Sequence, residues 1–484
     1  MKLSELLSDV GITCTAEQGE IEITKITCNS KRVVPGALFV CLPGTKTNGA
    51  EFICEAKAAG AAAVLCDREE GNGVIVCHDT LWAMSVLCRK MYGHGIDRLK
   101  LIAVTGTNGK TSTVRFLESI FTAAGIRCGT VGTLGCHSSR KQISISPADV
   151  NANMTTPDPE ELYTALSQMS DDGDEYVFIE ASSHALARKK LDALHFEAGI
   201  FTNLTREHLD YHKTFEEYAS AKARLPQMCD RFILNLDDRL HRLICPDGSI
   251  SCSERRSADF RAECVELYGK NGCAYRLVSR DHIFPIRSRL SGNFTVMNTL
   301  EAAACALSLG IAPFYVQTGI AALNCVSGRM EKVALSSNAN ISVYIDYAHT
   351  PDALENALKS AKKIAEGGRV VVVFGCGGDR DRGKRSEMGR MATRLADFTV
   401  ITSDNSRSED PEKIINDILV GVNENADYKV ITDRKSAIEY AIKESRPDDV
   451  ILIAGKGHEK YEIDSTGKHP FDEIQIVRKI WLEK

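Results

Sequence analysis

Short, largely apolar runs recur along the chain and are separated by stretches long enough to form helices. In the middle of the chain and toward its C-terminal end, these runs cover residues 101–104, 176–179, 198–201, 231–234, 343–345, 370–374, 398–401 and 450–454. Continuous apolar runs of this length are typical of parallel strands that are buried on both faces. The pattern therefore predicts an α/β architecture with helices on both sides of parallel sheets.

The first part of the chain repeats this pattern on a smaller scale. Residues 35–40 and 63–66 read as strands, and residues 52–59 between them read as a helix. A single hydrophobic core stops growing near ~250 residues, so a chain of 484 residues predicts about three domains. We expect a small N-terminal α/β domain at 1–98, a central domain at 99–328 and a Rossmann-like, doubly wound C-terminal domain at 329–484.

The composition is that of an ordinary globular protein, with 43% hydrophobic and 26% charged residues and a net charge of −6. This balance offers no broad basic face for nucleic acid. No uncharged apolar run approaches the roughly 18 residues that cross a bilayer, and the polar N-terminus does not resemble a secretory signal. Seventeen cysteines without C-x-x-C spacing favour small buried side chains in a reducing, cytoplasmic compartment over a zinc site or a disulfide framework.

A glycine loop joins the predicted strand 101–104 to a predicted helix over 111–124. The loop and the first turn of the helix read Gly106-Thr107-Asn108-Gly109-Lys110-Thr111-Ser112. Backbone N–H groups and the positive end of the helix would converge there on a phosphate. Lys110 would reach the outer phosphates, and Thr111 could help to hold Mg²⁺. The spacing is two residues shorter than a standard P-loop, so we predict a P-loop-like, mononucleotide-binding central domain that handles ATP; the alternative is a tight strand-to-helix turn.

Polar side chains follow the next two apolar runs of the central region. Glu180 ends the run at 176–179, where a carboxylate is well placed to hold Mg²⁺ or, alternatively, belongs to a helix N-cap. His208 and His212 follow the run at 198–201 and lie four residues apart, a spacing that can bind a metal from one helix face. Without a cysteine or a third nearby histidine, one histidine near Mg²⁺ or phosphate is the favoured interpretation.

Four polar loops follow four strands of the predicted C-terminal sheet. They cover residues 346–352, 375–385, 403–407 and 455–459. Ligands collect beyond the carboxyl ends of parallel strands, so these loops predict one convergent pocket. Taken alone, the basic loop at 375–385 fits either an anion site or a solvated surface.

These residues, in this order, resemble the Mur ligases of bacterial peptidoglycan synthesis, and the resemblance covers nearly the whole chain. The matching segments are 29–33, 35–40, 105–112, 155–158, 180–184, 202–212, 221–222, 328–331, 346–352, 375–385 and 455–459. The resemblance implies three α/β domains, for the UDP end of the substrate, for ATP and for the incoming amino acid. It also implies an enzyme that acts as a monomer.

The resemblance assigns site residues to each ligand. ATP would contact Thr107, Asn108, Gly109, Lys110, Thr111, Ser112, Asn298 and Arg329. The UDP-muramoyl-peptide would contact Ser30, Thr155, Thr156, Ser182, Arg188 and Lys190, the last two differing from the glutamine and arginine expected of the family. Glu180 and His208 would help to place Mg²⁺, together with Thr111. In similar enzymes the lysine that matches Lys222 carries CO₂ as a carbamate that orients Mg²⁺; without the family, Lys222 reads as a helical surface lysine.

The implied chemistry is amide formation through an acyl phosphate. ATP would convert the carboxylate of UDP-N-acetylmuramoyl-L-alanyl-D-glutamate into an acyl phosphate, which the amine of the next amino acid attacks. Lys110, Glu180, His208 and Lys222 would form the catalytic set.

Residues 404–407 predict which amino acid is added. They read Asp404-Asn405-Ser406-Arg407, where family members that add meso-diaminopimelate resemble D-N-P-R and lysine-adding relatives lack the arginine. Arg407, aided by Arg380, would grip the distal carboxylate that lysine lacks. Glu459 and the Gly455 backbone would take the distal ammonium. Ser406 in place of proline removes a fixed φ, and Arg407 could instead pair with Glu409 or Asp410.

Three rival functions stay open at this point. The nearest is a ligase of the same kind that adds lysine or ornithine. The second is a sister ligase of the folylpolyglutamate-synthase type. The third belongs to another class, a nucleotide-dependent binding or regulatory protein, and the presence of Lys110, Glu180, His208 and Lys222 argues against it.

Overall fold

The computed structural model describes residues 1–44, 47–71, 73–144, 154–244, 248–336 and 339–484. Three main sheets follow one another along the chain, and each lies in one of the three predicted regions. The boundaries proposed near residues 98 and 328 fall between these sheets and stay predictions. No helix in the described part of the chain is long and apolar enough to cross a membrane.

The N-terminal block contains a four-stranded parallel sheet in the order β1-β2-β3-β4. Its strands are β1 (Lys25–Thr27), β2 (Ala37–Val40), β3 (Ala61–Cys66) and β4 (Val74–Val76). Its helices are α1 (Leu3–Leu7), α2 (Ala16–Gly19), α3 (Ile53–Ala58) and α4 (Thr80–Tyr92). The predicted strand–helix–strand pattern is thus confirmed, and the two outer strands of the sheet were not predicted.

The central block is built on a sheet whose order is β15-β14-β13-β12-β11-β10-β5-β9-β6-β7-β8. The strands are β5 (Lys100–Thr105), β6 (Cys128–Gly132), β7 (Gly135–His137), β8 (Gln142–Ile143), β9 (Tyr176–Glu180), β10 (Ala198–Phe201), β11 (Phe232–Asn235), β12 (Ile250–Ser253), β13 (Phe260–Leu267), β14 (Cys273–Ser279) and β15 (Ile283–Ser288). The helices are α5 (Lys110–Ala123), α6 (Pro159–Asp172), α7 (Ser183–Ala187), α8 (Leu209–His212), α9 (Phe215–Lys222), α10 (Phe294–Ser308) and α11 (Pro313–Ala322).

The predicted strands of the central block are parallel neighbours in this sheet. Strand β5 pairs with β9 on one side and with β10 on the other, and β11 continues from β10. The ends of β9 and β10 therefore flank the glycine loop that follows β5. The antiparallel extension formed by β13, β14 and β15 was not predicted, because its strands alternate exposed and buried residues instead of forming continuous apolar runs.

The C-terminal block carries a six-stranded sheet in the order β16-β17-β21-β18-β19-β20 and a separate hairpin. The strands are β16 (Glu331–Lys332), β17 (Ser342–Asp346), β18 (Val370–Phe374), β19 (Phe398–Ile401), β20 (Tyr428–Val430), β21 (Val450–Ala454), β22 (Tyr461–Asp464) and β23 (Gly467–Pro470). The helices are α12 (Pro351–Ala365), α13 (Gly383–Leu395), α14 (Pro411–Leu419), α15 (Arg434–Lys443) and α16 (Glu473–Glu483). Apart from β16, the strands of this sheet run parallel, so the doubly wound prediction is confirmed.

Apolar packing joins the first two blocks more closely than the last two. One continuous core contains side chains from α1 and α4 together with α6 and one face of the central sheet. The opposite face of the central sheet packs against α5, α10 and α11, and the C-terminal sheet has its own core on each face. Polar contacts such as that of the Asn108 amide with the Asp352 carboxylate, 3.0 Å, link the central and C-terminal blocks.

Candidate active site

The glycine loop after β5 forms a narrow turn that other backbones approach closely. Gly106 and Gly109 have φ values of +149° and +88°, which favour glycine. A Cβ on Gly106 would lie 1.9 Å from the Thr202 hydroxyl oxygen, and one on Gly109 would lie 2.6 Å from Asn298 Oδ1. Helix α5 begins at Lys110, one residue before the predicted start, so its N-terminal N–H groups face the loop.

Two lysines converge on one carbonyl of this loop. The amines of Lys110 and Lys222 each donate to Gly106 O at 2.8 Å, and Lys110 also donates to Thr107 O. Loss of solvent lowers the pKa of Lys110 and holds that of Lys222 well below its usual value. Lys222 is 1% exposed, so its interpretation as a surface lysine is wrong.

Glu180 lies beside the loop at the end of β9. Its carboxylate accepts hydrogen bonds from the Thr111 hydroxyl at 3.0 Å and from the Thr133 N–H and hydroxyl at 2.9 Å each. Arg329 from the C-terminal block donates to the same Thr111 hydroxyl at 3.2 Å. The side chain that caps α7 is Ser182, so the N-cap interpretation of Glu180 is wrong. The hydroxyl and carboxylate oxygens of Thr111 and Glu180 are donors of the type that Mg²⁺ prefers.

His208 and His212, the two candidate histidines, are not arranged as a pair of metal ligands. His212 bonds to the Ser183 hydroxyl at 3.0 Å, and the His184 ring lies 4.8 Å from the His208 ring and 5.5 Å from that of His212. Burial lowers the pKa of His208 and of His212 to about 4. Within the described ranges, no group of three or more His, Cys, Asp or Glu side chains is arranged to hold a metal ion.

Glu207 bridges the central and C-terminal blocks, a role that sequence reasoning missed. One carboxylate oxygen lies 3.3 Å from His208 Nε2 and the other lies 3.1 Å from His349 Nε2. Burial opposes its ionisation, but the two histidines hold the pKa of Glu207 well below its usual value. Two features of the sequence could have indicated this role of Glu207. Glu207 is adjacent to His208, and His349 lies in the loop 346–352. His208 itself has a φ of +56°, a strained conformation that often marks a functional site.

The residues assigned to the muramoyl-peptide form a second cluster behind Glu180. The Thr156 hydroxyl donates to Glu180 O at 2.6 Å and contacts the Ser182 hydroxyl at 3.1 Å, and the Thr155 hydroxyl lies 3.3 Å from that of Thr133. The Lys190 amine is buried and pairs with the Asp158 carboxylate at 2.8 Å.

Arg188 and Ser30 lie where the N-terminal block meets this cluster. The Arg188 guanidinium donates to Pro43 O at 3.2 Å. Ser30 begins a 3₁₀ turn that Asn29 caps, and Arg32 in the same turn pairs with Glu161 at 3.0 Å.

The four loops of the C-terminal block meet at one edge of the sheet, as predicted. The register places Asp346 and Phe374 beside Ala454, and Ile401 beside Phe374, so β17, β21, β18 and β19 end together. A cavity of about 480 Å³ opens there, lined by Arg380, Lys384, Asp404, Asn405, Arg407, Gly455 and Glu459 among others. The basic loop at 375–385 is therefore more than a solvated surface.

Arg407 reaches into this cavity without a carboxylate partner. Its guanidinium donates to Gly378 O at 2.9 Å and to Asn405 O at 3.2 Å. Glu409 pairs with Arg385 and Arg382 instead, and within the described residues no carboxylate lies at ion-pair distance from Arg407. Burial, with Arg380 nearby, lowers the pKa of Arg407. Pairing of Arg407 with Glu409 or Asp410 is therefore not observed.

Asp404, Asn405 and Glu459 are joined by hydrogen bonds on the facing wall. The Asn405 amide donates to the Glu459 carboxylate at 2.8 Å and accepts from the Lys456 amine at 2.8 Å. Asp404 lies 3.4 Å from the same amine. Ser406 is 5% exposed and its carbonyl accepts from Glu409 N.

A second cavity of about 480 Å³ contains the glycine loop and adjoins the first. Its lining includes residues 107–112, Glu180, Asn298 and Arg329. The Asn298 Nδ2 atom is buried without a hydrogen-bond partner among the described residues. Both cavities are lined by Thr155, Glu207, His208, Tyr347 and His349. An anion held by the glycine loop and a ligand held by the C-terminal loops would therefore meet at this shared wall, which we call the common wall.

Three family models match the chain in succession. Residues 22–80 match the model described as Mur ligase family, catalytic domain. Residues 104–306 match the Mur ligase middle domain, and residues 328–457 match the Mur ligase, glutamate ligase domain.

Similar proteins span the whole chain. A UDP-N-acetylmuramoyl-L-alanyl-D-glutamate--2,6-diaminopimelate ligase of Clostridium acetobutylicum is 37% identical, with 100% of both chains covered. The protein of the same name from Geobacillus kaustophilus is 38% identical, again over 100% of both chains.

Solved structures show the same fold. A structure of a UDP-N-acetylmuramoyl-L-alanyl-D-glutamate--2,6-diaminopimelate ligase has a TM-score of 0.68 and 32% identity, and the match covers 100% of this chain and 99% of the other. The MurF ligase from Thermotoga maritima in complex with ADP has a TM-score of 0.62 at 16% identity, covering 95% and 97% of the two chains, which bears on the fold alone.

Proposed function

Because this chain belongs to the Mur ligase family, we propose that it is an ATP-dependent ligase that adds meso-diaminopimelate to UDP-N-acetylmuramoyl-L-alanyl-D-glutamate. The full-length relatives carry this activity in their names. The observation that carries the proposal is the common wall between the cavity of the glycine loop and the cavity of Arg407. The product is a precursor for peptidoglycan, and the cytoplasmic location and monomeric state stay predictions.

The nucleotide would lie in the cavity of the glycine loop. Residues 107–112 would surround its phosphates, with Lys110 and Arg329 offsetting their charge. Asn298 offers its unpartnered amide to the same ligand. The carboxylate of the D-glutamate end would attack the γ-phosphorus of ATP, releasing ADP and leaving an acyl phosphate.

Thr111, Glu180 and His208 would hold Mg²⁺, which neutralises charge on the phosphoryl group when bound. Lys222 would join them as a carbamate. A lysine must be uncharged to combine with CO₂, and the buried Lys222 amine has a strongly lowered pKa. The reaction joins the amine nitrogen to CO₂ and releases one proton, which converts the lysine into an anionic oxygen donor.

The remaining substrates would approach the acyl phosphate from two sides. Ser30, Thr155, Thr156, Ser182, Arg188 and Lys190 would position the UDP-muramoyl-peptide. The incoming amine would arrive through the cavity of Arg407 and attack the acyl carbon, with phosphate as the leaving group. Holding both reactants at the common wall supplies proximity and excludes water.

Arg407 supports diaminopimelate over lysine as the amino acid added. A half-buried guanidinium that bonds to carbonyls alone among the described residues leaves donors available for a carboxylate. Lysine lacks the distal carboxylate, so it would leave this cation desolvated and without a counter-ion. Arg380, Asp404, Asn405, Ser406, Gly455 and Glu459 would complete this site.

The test is a coupled assay of ADP and phosphate release with a panel of amino acids. We expect release only when the UDP-muramoyl-dipeptide and meso-diaminopimelate are both present, with lysine and ornithine as matched competitors. Equal turnover with lysine would contradict the assignment of the amino acid. ADP release that needs no amino acid would contradict ligase function.

A further inference from the structure

Arg434 is a buried cation close to the amino-acid cavity, and neither the family signature nor the proposed mechanism assigns it a role. It begins helix α15, and none of its side chain is exposed. Its Nε donates to the Glu473 carboxylate at 2.7 Å. A charged side chain that is buried away from water destabilises the protein unless its hydrogen-bonding groups have partners. The remaining contacts of the Arg434 guanidinium therefore show which parts of the structure it holds.

The other two nitrogens of the guanidinium hold the ends of two strands. Nη1 donates to Ser403 O at 3.1 Å, two residues beyond the end of β19, and Nη2 donates at 2.9 Å to the carbonyl oxygen of Ala454, the last residue of β21. These strands are not neighbours, because β18 lies between them in the sheet. The rigid fork of an arginine can span this gap, which one amine cannot do. Arg434 therefore ties together the segments that begin the loops 403–407 and 455–459.

Arg434 also changes the charge of the cavity wall. Asp404 belongs to the loop 403–407 and lines the cavity. Burial opposes its ionisation, but Lys456 and Arg434 hold the pKa of Asp404 well below its usual value. A Cβ on Gly455 would lie 2.5 Å from the Asp404 carboxylate and 3.6 Å from Arg434 Nη2, so the two loops and the guanidinium are in close contact.

The geometry points to Arg434 as the positioning residue of the amino-acid site. It fixes the spacing between the loop that carries Asp404 and Arg407 and the loop that carries Glu459. This inference rests on the proposed function and deepens it. It gives Arg434 an effect on the amino acid and none on the nucleotide, because Asp404 and Gly455, which follow its two carbonyl partners in the chain, line the cavity of Arg407 and not the cavity of the glycine loop.

The deciding experiment uses the double variant Arg434→Met/Glu473→Gln. Removing both charges avoids an unpaired buried ion, so the protein should fold while losing both carbonyl contacts. We expect KM for meso-diaminopimelate to rise by at least about tenfold. KM for ATP and for the UDP-muramoyl-dipeptide should stay within about twofold of wild type. Arg434→Lys keeps the charge and one contact, and should restore part of the loss.

The matched control is the pair Arg369 and Asp449 at the opposite end of the same sheet. Arg369 forms a 2.7 Å ion pair with a carboxylate that is 1% exposed, and it also donates to a backbone carbonyl. Arg369→Met/Asp449→Asn should leave KM for the amino acid within about twofold of wild type.

The inference is overturned if the Arg434→Met/Glu473→Gln protein keeps the wild-type KM for diaminopimelate, or if all three KM values rise together. If that protein does not fold, Arg434→Lys decides alone: a rise confined to the amino acid supports the inference, and an unchanged KM overturns it. A wild-type protein that turns over no amino acid would refute the proposed function, and the inference would fail with it.

Discussion

The two cavities that meet at the common wall hold their buried cations in opposite ways. Around the glycine loop, Lys110 and Lys222 bond to carbonyl oxygens and have no ion-pair partner among the described residues. Below the amino-acid cavity, Lys456 and Arg434 lie in contact with Asp404, Asn405 and Glu473. The first arrangement leaves the charge of Lys110 available to an incoming polyanion and the amine of Lys222 available to CO₂, whereas in the second arrangement the charges hold loops in place.

From this difference we expect that a buried cation can be removed without loss of stability in the cavity of the glycine loop. In the amino-acid cavity, removal of a buried cation should affect both stability and function. An amine that bonds only to carbonyls contributes little to folding because its desolvation offsets its bonds. A cation inside a charge network leaves a buried anion behind when it is removed.

The largest effect is expected from Lys110→Met. Ligase turnover should fall by about 10³-fold, since the cation that faces the transferring phosphoryl group is lost. The melting temperature should not fall, which a thermal unfolding scan would check. Arg115→Met, on an ion-paired surface position of the same helix, is the control and should keep its activity. A marked loss of stability in Lys110→Met would contradict the contrast.

Lys456→Met should cost stability where Lys110→Met does not. It leaves the Asp404 carboxylate buried beside a missing charge, so we expect the free energy of unfolding to drop by about 3 kcal/mol. Denaturant titration of both variants measures the difference. Equal unfolding free energies for the two lysine variants would show that the networks are not distinct.

Arg407→Ala should lower kcat/KM for meso-diaminopimelate by about a hundredfold, because a charge-assisted bond to its distal carboxylate is lost. KM for ATP should change by less than about twofold. The control is Arg382→Ala in the neighbouring loop, where the side chain is 73% exposed. Unaltered use of diaminopimelate by the Arg407 variant would remove the basis for the assigned amino acid.

Removal of dissolved CO₂ tests the carbamate proposed at Lys222, the buried lysine that contacts the glycine loop. Degassed buffer should lower turnover by at least about tenfold, since the anionic oxygen donor that Lys222 would add to the metal site is lost. Added bicarbonate should restore it, and ¹³C-labelled bicarbonate should give a carbamate signal that Lys222→Arg lacks. Turnover that ignores bicarbonate would count against the modification.

The smallest effect concerns Glu301, a carboxyl group on α10 that lines neither of the two cavities. Both of its oxygens are buried without a hydrogen-bond partner among the described residues, and burial raises its pKa well above 4.5. A raised folded-state pKa stabilises the protein below the unfolded pKa and loses that contribution as pH rises. Glu301→Gln should therefore match wild type below pH ~4 and exceed it by at least about 1 kcal/mol near pH ~8. The measurement is the free energy of unfolding of both proteins as a function of pH. A difference between them that does not change with pH would contradict the raised pKa of Glu301.

Much of the fold was predictable because many of its strands coincide with continuous apolar runs in the sequence. The runs at 370–374, 398–401 and 450–454 coincide with β18, β19 and β21, and the glycine loop lies between β5 and α5 as predicted. The antiparallel extension of the central sheet escaped prediction because half-buried strands alternate in polarity and resemble loops.

The site was predictable where its functional residues are contiguous in sequence. Residues 106–112 form one strand-to-helix turn, so their convergence follows from local geometry. Glu207 and His349 are 142 positions apart and meet only through the packing of two blocks. Arg434 and Glu473 lie in ordinary helical sequence, and no local pattern reveals that they pair or that Arg434 contacts the segments at two strand ends.

The chain passes from the central block to the C-terminal block at Gly328, and this connection is packed tightly against the C-terminal block. A Cβ at Gly328 would lie 2.3 Å from His458 N, so this joint has no room for a larger residue. The next residue, Arg329, already reaches the Thr111 hydroxyl beside the glycine loop. Because Gly328 and Arg329 are adjacent, a displacement of the C-terminal block would also displace the guanidinium that contacts Thr111.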